Sequence, residues 1–392
     1  MFRISFIATL KSTIRALLAS IALYTLFLSS LTIPLIQNQV IYLNRGFLRN
    51  QVSPFKLSTP DGETLHAWHI LPLELYRRHE QELIEEPTGL VPDITDRLGF
   101  KLLRDDPSSL LVLYFHGAAG TLGSGWRPPS YRAMSAGAPR RTHVLAIDYR
   151  GFGASSGVPS EEGLLVDSVA LAEWAMQEAG IPPSRIVLFA QSLGTAVSIA
   201  LAQHMATRAD PVLFSGMVLV APFADVELLT ATYRVAGTIP ILDLIARFPR
   251  LLAWLNTFVL SKWPSKDTLA EFVRSCEKLP AAAPKYHVTI IHAEDDYDIP
   301  WSHSEQLFWH AANATLPDGI GFDELEREKA AARSLRRERG WVVERRTKQG
   351  VIREEIMKYG LHDRIMSYPV VSSAVMRAFE NSFRPYLDDT PT

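Results

Sequence analysis

Three short stretches carry the residue types most able to do chemistry. In the first, an apolar run from Ile186 to Phe189 stops at Ala190, passes through Gln191, Ser192 and Leu193, and reopens after Gly194 as the apolar segment Thr195 to Leu201. That pattern predicts a strand, a sharp turn and a helix, with a serine at the apex. A serine at so tight a reversal needs small residues two before and two after it, because their backbones crowd its Cα. Ala190 and Gly194 meet the need, with Ala190 one methyl larger than the G-x-S-x-G pattern. The turn aims the hydroxyl away from the sheet, and the Leu193 N–H at the mouth of the new helix faces whatever the hydroxyl attacks.

A serine hydroxyl is a weak nucleophile, so it requires a base and an acidic group that orients the base. In a doubly wound sheet both come from loops at the same carboxyl edge, in the chain order serine, acid, histidine. The second stretch, His292 to Pro300, offers Glu294, Asp295, Asp296 and Asp298; the third, Tyr359 to Asp363, offers His362. Asp298 opens a helical turn, where an aspartate can simply cap. Asp296, four residues before Pro300, is taken as the acid. His362 is taken as the base, since the rivals His292, His303 and His310 all precede the last expected strand.

Such a centre also needs donors for the oxyanion. Besides the Leu193 N–H, the loop after the strand ending at Phe115 supplies His116-Gly117-Ala118, with the Ala118 N–H as donor and Gly117 permitting a close approach. Losing one such donor costs about 3 kcal/mol of transition-state stabilisation.

The elements that must position these groups alternate along the chain. Phe55 to Ser58 and Glu63 to Ile70 read as an opening hairpin around Thr59-Pro60-Asp61-Gly62. Leu71 to Pro107 is a charged, proline-broken surface excursion. Ser109 to Phe115, Thr142 to Asp148, Arg185 to Phe189, Gly216 to Ala221 and Tyr286 to Ile291 read as buried strands, with helices near Ser160 to Glu178 and Gly194 to Ala206. Trp341 to Arg346 and Val351 to Met357 read as a strand pair near the sheet edge, and Pro369 to Phe383 as a last helix. Strands alternating with helices predict an α/β fold with a mostly parallel, doubly wound sheet and ligands outside its carboxyl edge.

Two insertions interrupt the alternation. Residues 223–284 lack strand pattern and are strongly apolar from Ile239 to Leu260, which suits a helical cap over the serine, either packed on itself or forming an acyl-chain tunnel or membrane-touching lid. Asp323 to Lys348 is dense in mixed charge, the pattern of a solvated helix; Arg336, Arg337 and Arg339 at its centre would suit an anionic headgroup.

Of the 392 residues, 47% are hydrophobic, enough for a large core, and the formal net charge of −2 gives no reason to expect a nucleic-acid partner. Cys276 is the only cysteine, which excludes a disulfide within the chain and a cysteine-built zinc site. Neither a metal-ligand spacing nor a phosphate-cradling loop is evident, and no cofactor is expected. Residues 16–36 carry no charge, a span of about 31 Å as a helix, so residues 1–45 are expected to be a membrane anchor with its flanks and residues 46–392 the catalytic domain. Arg3, Lys11 and Arg15 before the segment against Arg45 and Arg49 after it favour a cytoplasmic amino end and a catalytic domain on the far side. Asn313-Ala314-Thr315 is a glycosylation triplet usable only in that orientation.

Taken in order, L-Y-F-H-G-A-A-G (113–120), D-Y-R-G-F-G-A-S-S-G (148–157), A-Q-S-L-G-T-A (190–196), H-A-E-D-D-Y-D-I-P (292–300) and Y-G-L-H-D (359–363) resemble the α/β-hydrolase-domain serine hydrolases. The likeness is strongest to their membrane-anchored monoacylglycerol and lysophosphatidylserine lipase branch and covers roughly Ser53 to Tyr386. It implies the α/β-hydrolase fold, Ser192 as nucleophile, Asp296 as acid, His362 as base, a single-acyl lipid as substrate and a catalytic domain facing the lumen of the endoplasmic reticulum. The chain departs from the pattern at Ala190 and in the 65 residues between Asp296 and His362. Competing readings are a protein-depalmitoylating thioesterase and a non-catalytic hydrolase fold serving as a scaffold.

Overall fold

The computed structural model describes residues 46–91, 93–232, 248, 250, 254, 256–333 and 340–383. The expected anchor at 16–36, most of the apolar run 239–260 and Arg336, Arg337 and Arg339 lie outside them. Among the described residues no helix is long and apolar enough to cross a membrane.

Among the described residues nine strands form one sheet: β1 (Val52–Ser58), β2 (Thr64–Ile70), β3 (Leu110–Phe115), β4 (Thr142–Ile147), β5 (Ile186–Gln191), β6 (Gly216–Val220), β7 (Tyr286–Ala293), β8 (Gly340–Arg346) and β9 (Gly350–Met357). Their spatial order is β1-β2-β4-β3-β5-β6-β7-β9-β8. From β4 to β9 every neighbouring pair is parallel, while the β1–β2 hairpin and β8 add antiparallel edges. The hairpin closes at Ser58 opposite Thr64, around the expected turn.

The continuous apolar runs are explained by burial on two sides. Along β3, Leu111, Leu113 and Phe115 join the core under helices Glu161–Gln177, Leu193–Ala206 and Ser265–Glu277, whereas Leu110, Val112 and Tyr114 join a second core under helices Arg127–Ser135 and Pro369–Phe383. Successive side chains point to opposite faces, so a strand covered by helices on both must be apolar throughout. Helix Glu161–Gln177 begins where Ser160 caps it, its hydroxyl accepting the Gly163 N–H.

The crossover direction reverses at β3, which has β4 on one side and β5 on the other. A crevice therefore opens between the carboxyl ends of β3 and β5, the position where doubly wound sheets bind ligands. The serine turn follows β5 and the Gly117 loop follows β3.

Helix Ser265–Glu277, within residues 223–284, does not stand free of the sheet: it buries Leu269, Phe272, Val273 and Cys276 in the main core as a sheet-covering layer. Nor is the charged stretch simply solvated. Lys329, in helix Phe322–Arg333, is buried with its Nζ 2.8 Å from carboxylate oxygens of both Glu326 and Glu354, and 4.9 Å from the Trp341 ring centre. Charge alternation cannot reveal that one lysine faces inward to a buried glutamate on β9.

Candidate active site

Ser192 lies between β5 and helix Leu193–Ala206 with φ 53° and ψ −121°. A non-glycine residue with positive φ is sterically costly, by about 1–3 kcal/mol, and persists only where its surroundings hold it. Here the Ser192 N–H is taken by the Val220 carbonyl at 3.1 Å, and the Ser192 carbonyl accepts both the Thr195 N–H at 2.9 Å and the Thr195 hydroxyl at 2.6 Å. Gly194 shows why the turn tolerates no side chain there: a Cβ would stand 2.1 Å from the Phe115 carbonyl oxygen. Ala190 sits opposite Phe115 in the sheet register, fully buried, and its methyl is accommodated in the core.

The loop after β7 brings Asp296 and His362 together. Asp296 is buried, and its Oδ2 accepts His362 Nδ1–H at 2.8 Å and His292 Nε2–H at 3.0 Å, while its Oδ1 accepts the backbone N–H groups of Asp298 and Ile299 at 2.9 and 3.0 Å. Burial alone would raise this carboxyl; the hydrogen bonds from the two imidazoles override it and hold the acid well below the ordinary carboxylate range. Burial likewise opposes charge on His362, yet the bond to Asp296 and the field of Asp296, Asp363 and Asp298 leave its pKa above the usual 6.5. Because an ionised carboxylate only accepts, Nδ1 of His362 carries the proton and Nε2 keeps its lone pair while the ring is neutral.

The other carboxylates of this loop are occupied otherwise. Asp295 Oδ1 accepts the N–H groups of Gly360 and Leu361 at 2.8 and 2.9 Å, and Glu294 meets Lys358 at 2.6 Å. Both therefore fasten the segment leading into His362, in which Leu361 adopts φ 52°. The rival histidines are also engaged: His292 on Asp296, His303 between the Ala224 N–H and the Thr232 hydroxyl, and His310 3.5 Å from Asp267. Asp296, Asp298 and His362 each present a ligand atom within 4.8 Å of the others. All four acceptor directions of Asp296 are already filled, which suits an orienting carboxylate rather than a metal ligand.

Ser192 and His362 border one cavity of about 550 Å³, together with Gly117, Ala118, Leu229 and Ile299. A second hollow of about 300 Å³, walled by Tyr297, Asp298, Asp363 and Arg364, adjoins it at His362 and Trp126. Gly117 runs against the serine turn so closely that a Cβ would stand 2.4 Å from Gln191 Oε1 and 3.3 Å from Ser192 Cβ. The backbone N–H groups of Ala118 and Leu193 meet no acceptor among the described residues. Gln191, which the motif pattern left without a role, donates to Asp363 Oδ1 at 3.2 Å and so ties the serine turn to the histidine loop. The D-Y-R-G segment is structural: Asp148 accepts the Leu122 N–H at 2.9 Å, and Arg150 pairs with Asp61 of the hairpin turn and with Asp167.

Residues 112–347 match the model of the alpha/beta hydrolase family. The chain belongs to that family. Among its relatives, human protein ABHD12B is 30% identical over 52% of this chain and 50% of its own length, so the match spans only half of that relative. The zebrafish (Danio rerio) lysophosphatidylserine lipase ABHD12 is 26% identical over 73% of this chain and 69% of its own. The Pyrococcus furiosus esterase Pf2001 superposes with a TM-score of 0.47 at 12% identity, covering 85% of this chain and 92% of that one. Along this chain the strands β5, β7 and β9 deliver Ser192, Asp296 and His362, in that order, to the carboxyl edge of the sheet.

Proposed function

We propose that this chain hydrolyses the acyl ester of a monoacyl lipid, a monoacylglycerol or lysophospholipid, through a Ser192–His362–Asp296 triad and an acyl-enzyme. The observation that carries the reading is the His362–Asp296 bond at 2.8 Å on a cavity that Ser192 also borders. In the first step His362 Nε2 takes the Ser192 proton as Oγ attacks the ester carbonyl, and Asp296 stabilises the imidazolium. The Ala118 and Leu193 N–H groups receive the oxyanion, the proton passes from Nε2 to the leaving alcohol, and water then repeats the sequence to release the fatty acid.

The monoacyl substrate is supported by the lysophosphatidylserine lipase relatives and by the cavity wall, where Leu229 and Ile299 offer apolar surface to a chain. Trp254, Phe258 and Leu260 of the insertion are exposed, the kind of surface a lipid-touching cap presents. With the uncharged segment 16–36 as anchor, the reading extends to a single-pass protein of the endoplasmic reticulum whose catalytic domain is lumenal. Asn313 Oδ1 accepts the Ile320 N–H at 2.7 Å, so this side chain also ties a turn within the fold, and a glycosidase-insensitive, unmodified Asn313 in cells would count against the lumenal orientation.

The decisive experiment labels the membrane-bound full chain with a fluorophosphonate and assays monoacylglycerol, lysophosphatidylserine and an acylated protein side by side. Wild type is expected to label and to release fatty acid from the lipids, and Ser192→Ala to lose both. Lipase activity retained by Ser192→Ala above a mock preparation refutes the triad; preference for the acylated protein would establish the thioesterase, and a folded chain that never labels would establish the scaffold.

A further inference from the structure

Arg127 is a buried guanidinium at the edge of the cavity, and among the described residues it meets no carboxylate. Its donors go instead to three carbonyl oxygens of one loop: Nη2 to Gly117 at 3.0 Å and to Ala119, and Nη1 to Thr121 at 2.5 Å. Leaving a buried cation without a counter-ion is costly, so a fold that keeps one there uses it for something carbonyl oxygens require. The Gly117 oxygen also lies 2.8 Å from His116 Nδ1, whose other ring nitrogen stands farther from its nearest acceptor, 3.5 Å from Asp148 Oδ1; with the proton on Nδ1 the oxygen is doubly held.

The peptide joining Gly117 to Ala118 is planar, with its C=O and N–H pointing in opposite directions. Two donors that capture the Gly117 oxygen therefore fix where the Ala118 N–H points. A charged donor on the oxygen also polarises the N–H on the other side of the same peptide, strengthening the bond it gives. Arg127 is well placed for this because it opens helix Arg127–Ser135, whose Tyr131 and Met134 are buried in the second core, and its own carbonyl is capped by Ser130 Oγ at 2.7 Å.

We propose that Arg127 is a positioning residue for the oxyanion: by binding the Gly117 carbonyl it holds and polarises the Ala118 N–H toward the charge that develops when Ser192 attacks. The inference rests on the triad reading, with Ala118 as an oxyanion donor, and it adds a residue that touches neither substrate nor triad. A simple loop staple would affect folding and substrate binding; a device acting on the oxyanion acts on the transition state alone.

The test uses the full chain in detergent, p-nitrophenyl butyrate as substrate and a trifluoromethyl ketone, which forms a hemiketal oxyanion on the serine, as inhibitor. Arg127→Ala is expected to lower kcat about 100-fold with KM nearly unchanged, and to weaken the ketone by the same factor. Arg127→Lys, which keeps the charge but lacks the fork that reaches three carbonyls, is expected to fall about 10-fold in both. Millimolar ethylguanidinium is expected to restore part of the Arg127→Ala rate. If Arg127→Ala does not fold, Arg127→Lys carries the test. A folded Lys variant with wild-type kcat and ketone affinity, or with a raised KM and unchanged kcat, overturns the inference. Failure of the triad reading is distinguishable, because the wild type itself would then resist fluorophosphonate.

Discussion

Two loops meet across the cavity, and the chain holds them by different means. The serine turn is held chiefly by backbone and packing: Ser192 sits at φ 53° under the Val220 and Thr195 bonds and against the Phe115 carbonyl, and a charged group enters through Asp363, which accepts the Gln191 amide at 3.2 Å. The histidine loop is held by carboxylates, with Glu294, Asp295 and Asp296 reaching from the end of β7 to Lys358, to the N–H groups of Gly360 and Leu361, and to His362. A nucleophile needs one position and keeps it throughout the reaction. A base changes charge during the cycle, and a loop tied by ionised oxygens places negative charge where the imidazolium forms. The first device depends on volume; the second depends on charge.

The largest effect should therefore come from adding volume on the serine side. Gly194→Ala places a Cβ 2.1 Å from the Phe115 oxygen and 2.9 Å from the His116 oxygen, both backbone atoms that cannot swing aside. Overpacking of this kind costs about 1–3 kcal/mol. The strain relaxes by moving Ser192 relative to the Gly117 loop, and a misplacement of about 1 Å costs about 100-fold in rate. Thermal denaturation of the variant and its kcat on p-nitrophenyl butyrate check this; a variant with wild-type Tm and kcat would show that the turn is looser than its contacts imply.

An intermediate effect is expected on the histidine side. Asp295→Ala removes the acceptor of two N–H groups, bonds to a charged partner being worth about 2 kcal/mol each in net terms. Leu361 is then free to leave φ 52°, and His362 loses its fixed approach. We expect kcat to fall about 10-fold with KM little changed, and Asp295→Asn, which retains an acceptor oxygen, to recover most of it. Equal losses in the Ala and Asn variants would instead make Asp295 a contributor through charge alone.

This contrast also explains what was legible in the amino-acid order. The serine turn carries its signal in residues within five positions of Ser192, where small residues and a strand-to-helix change of period mark it, although Val220 and Phe115, which hold it, lie far off in sequence; the buried strands show as unbroken apolar runs. The sequence sets four neighbouring carboxylates after β7, but the tasks of Asp295 and Glu294 are not legible in it, because their partners lie beyond β8 and β9, some 65 residues on. His292 reads only as a rival base in the sequence, although it shares Asp296 Oδ2 with His362. Arg127 gave no signal at all, since its partners are carbonyls, which every residue has. Local geometry is written locally; a network of long-range hydrogen bonds is not.

The smallest effect sharpens the comparison through pH. In the proposed triad only the neutral His362 can accept the Ser192 proton, so kcat/KM is expected to fall as the ring protonates. Burial lowers this pKa, but the Asp296 bond and the surrounding carboxylates raise it further, so the acid limb is expected to have its midpoint above 6.5. Asp298 contributes to that field, and Asp298→Asn should move the limb to lower pH, with added salt reducing the difference. The serine side adds no titrating group, so a limb unmoved by Asp298→Asn would place the controlling charge elsewhere. The sign for stability is opposite to that for rate. With the folded pKa raised, the imidazolium–Asp296 pair contributes fully below the unfolded value near 6.5, and that contribution disappears as pH rises through the folded pKa. Across the same window the chain gains activity and gives up the stabilisation of its charged pair, so denaturant midpoints and rates measured together should run in opposite directions for wild type and lose that opposition in Asp296→Asn.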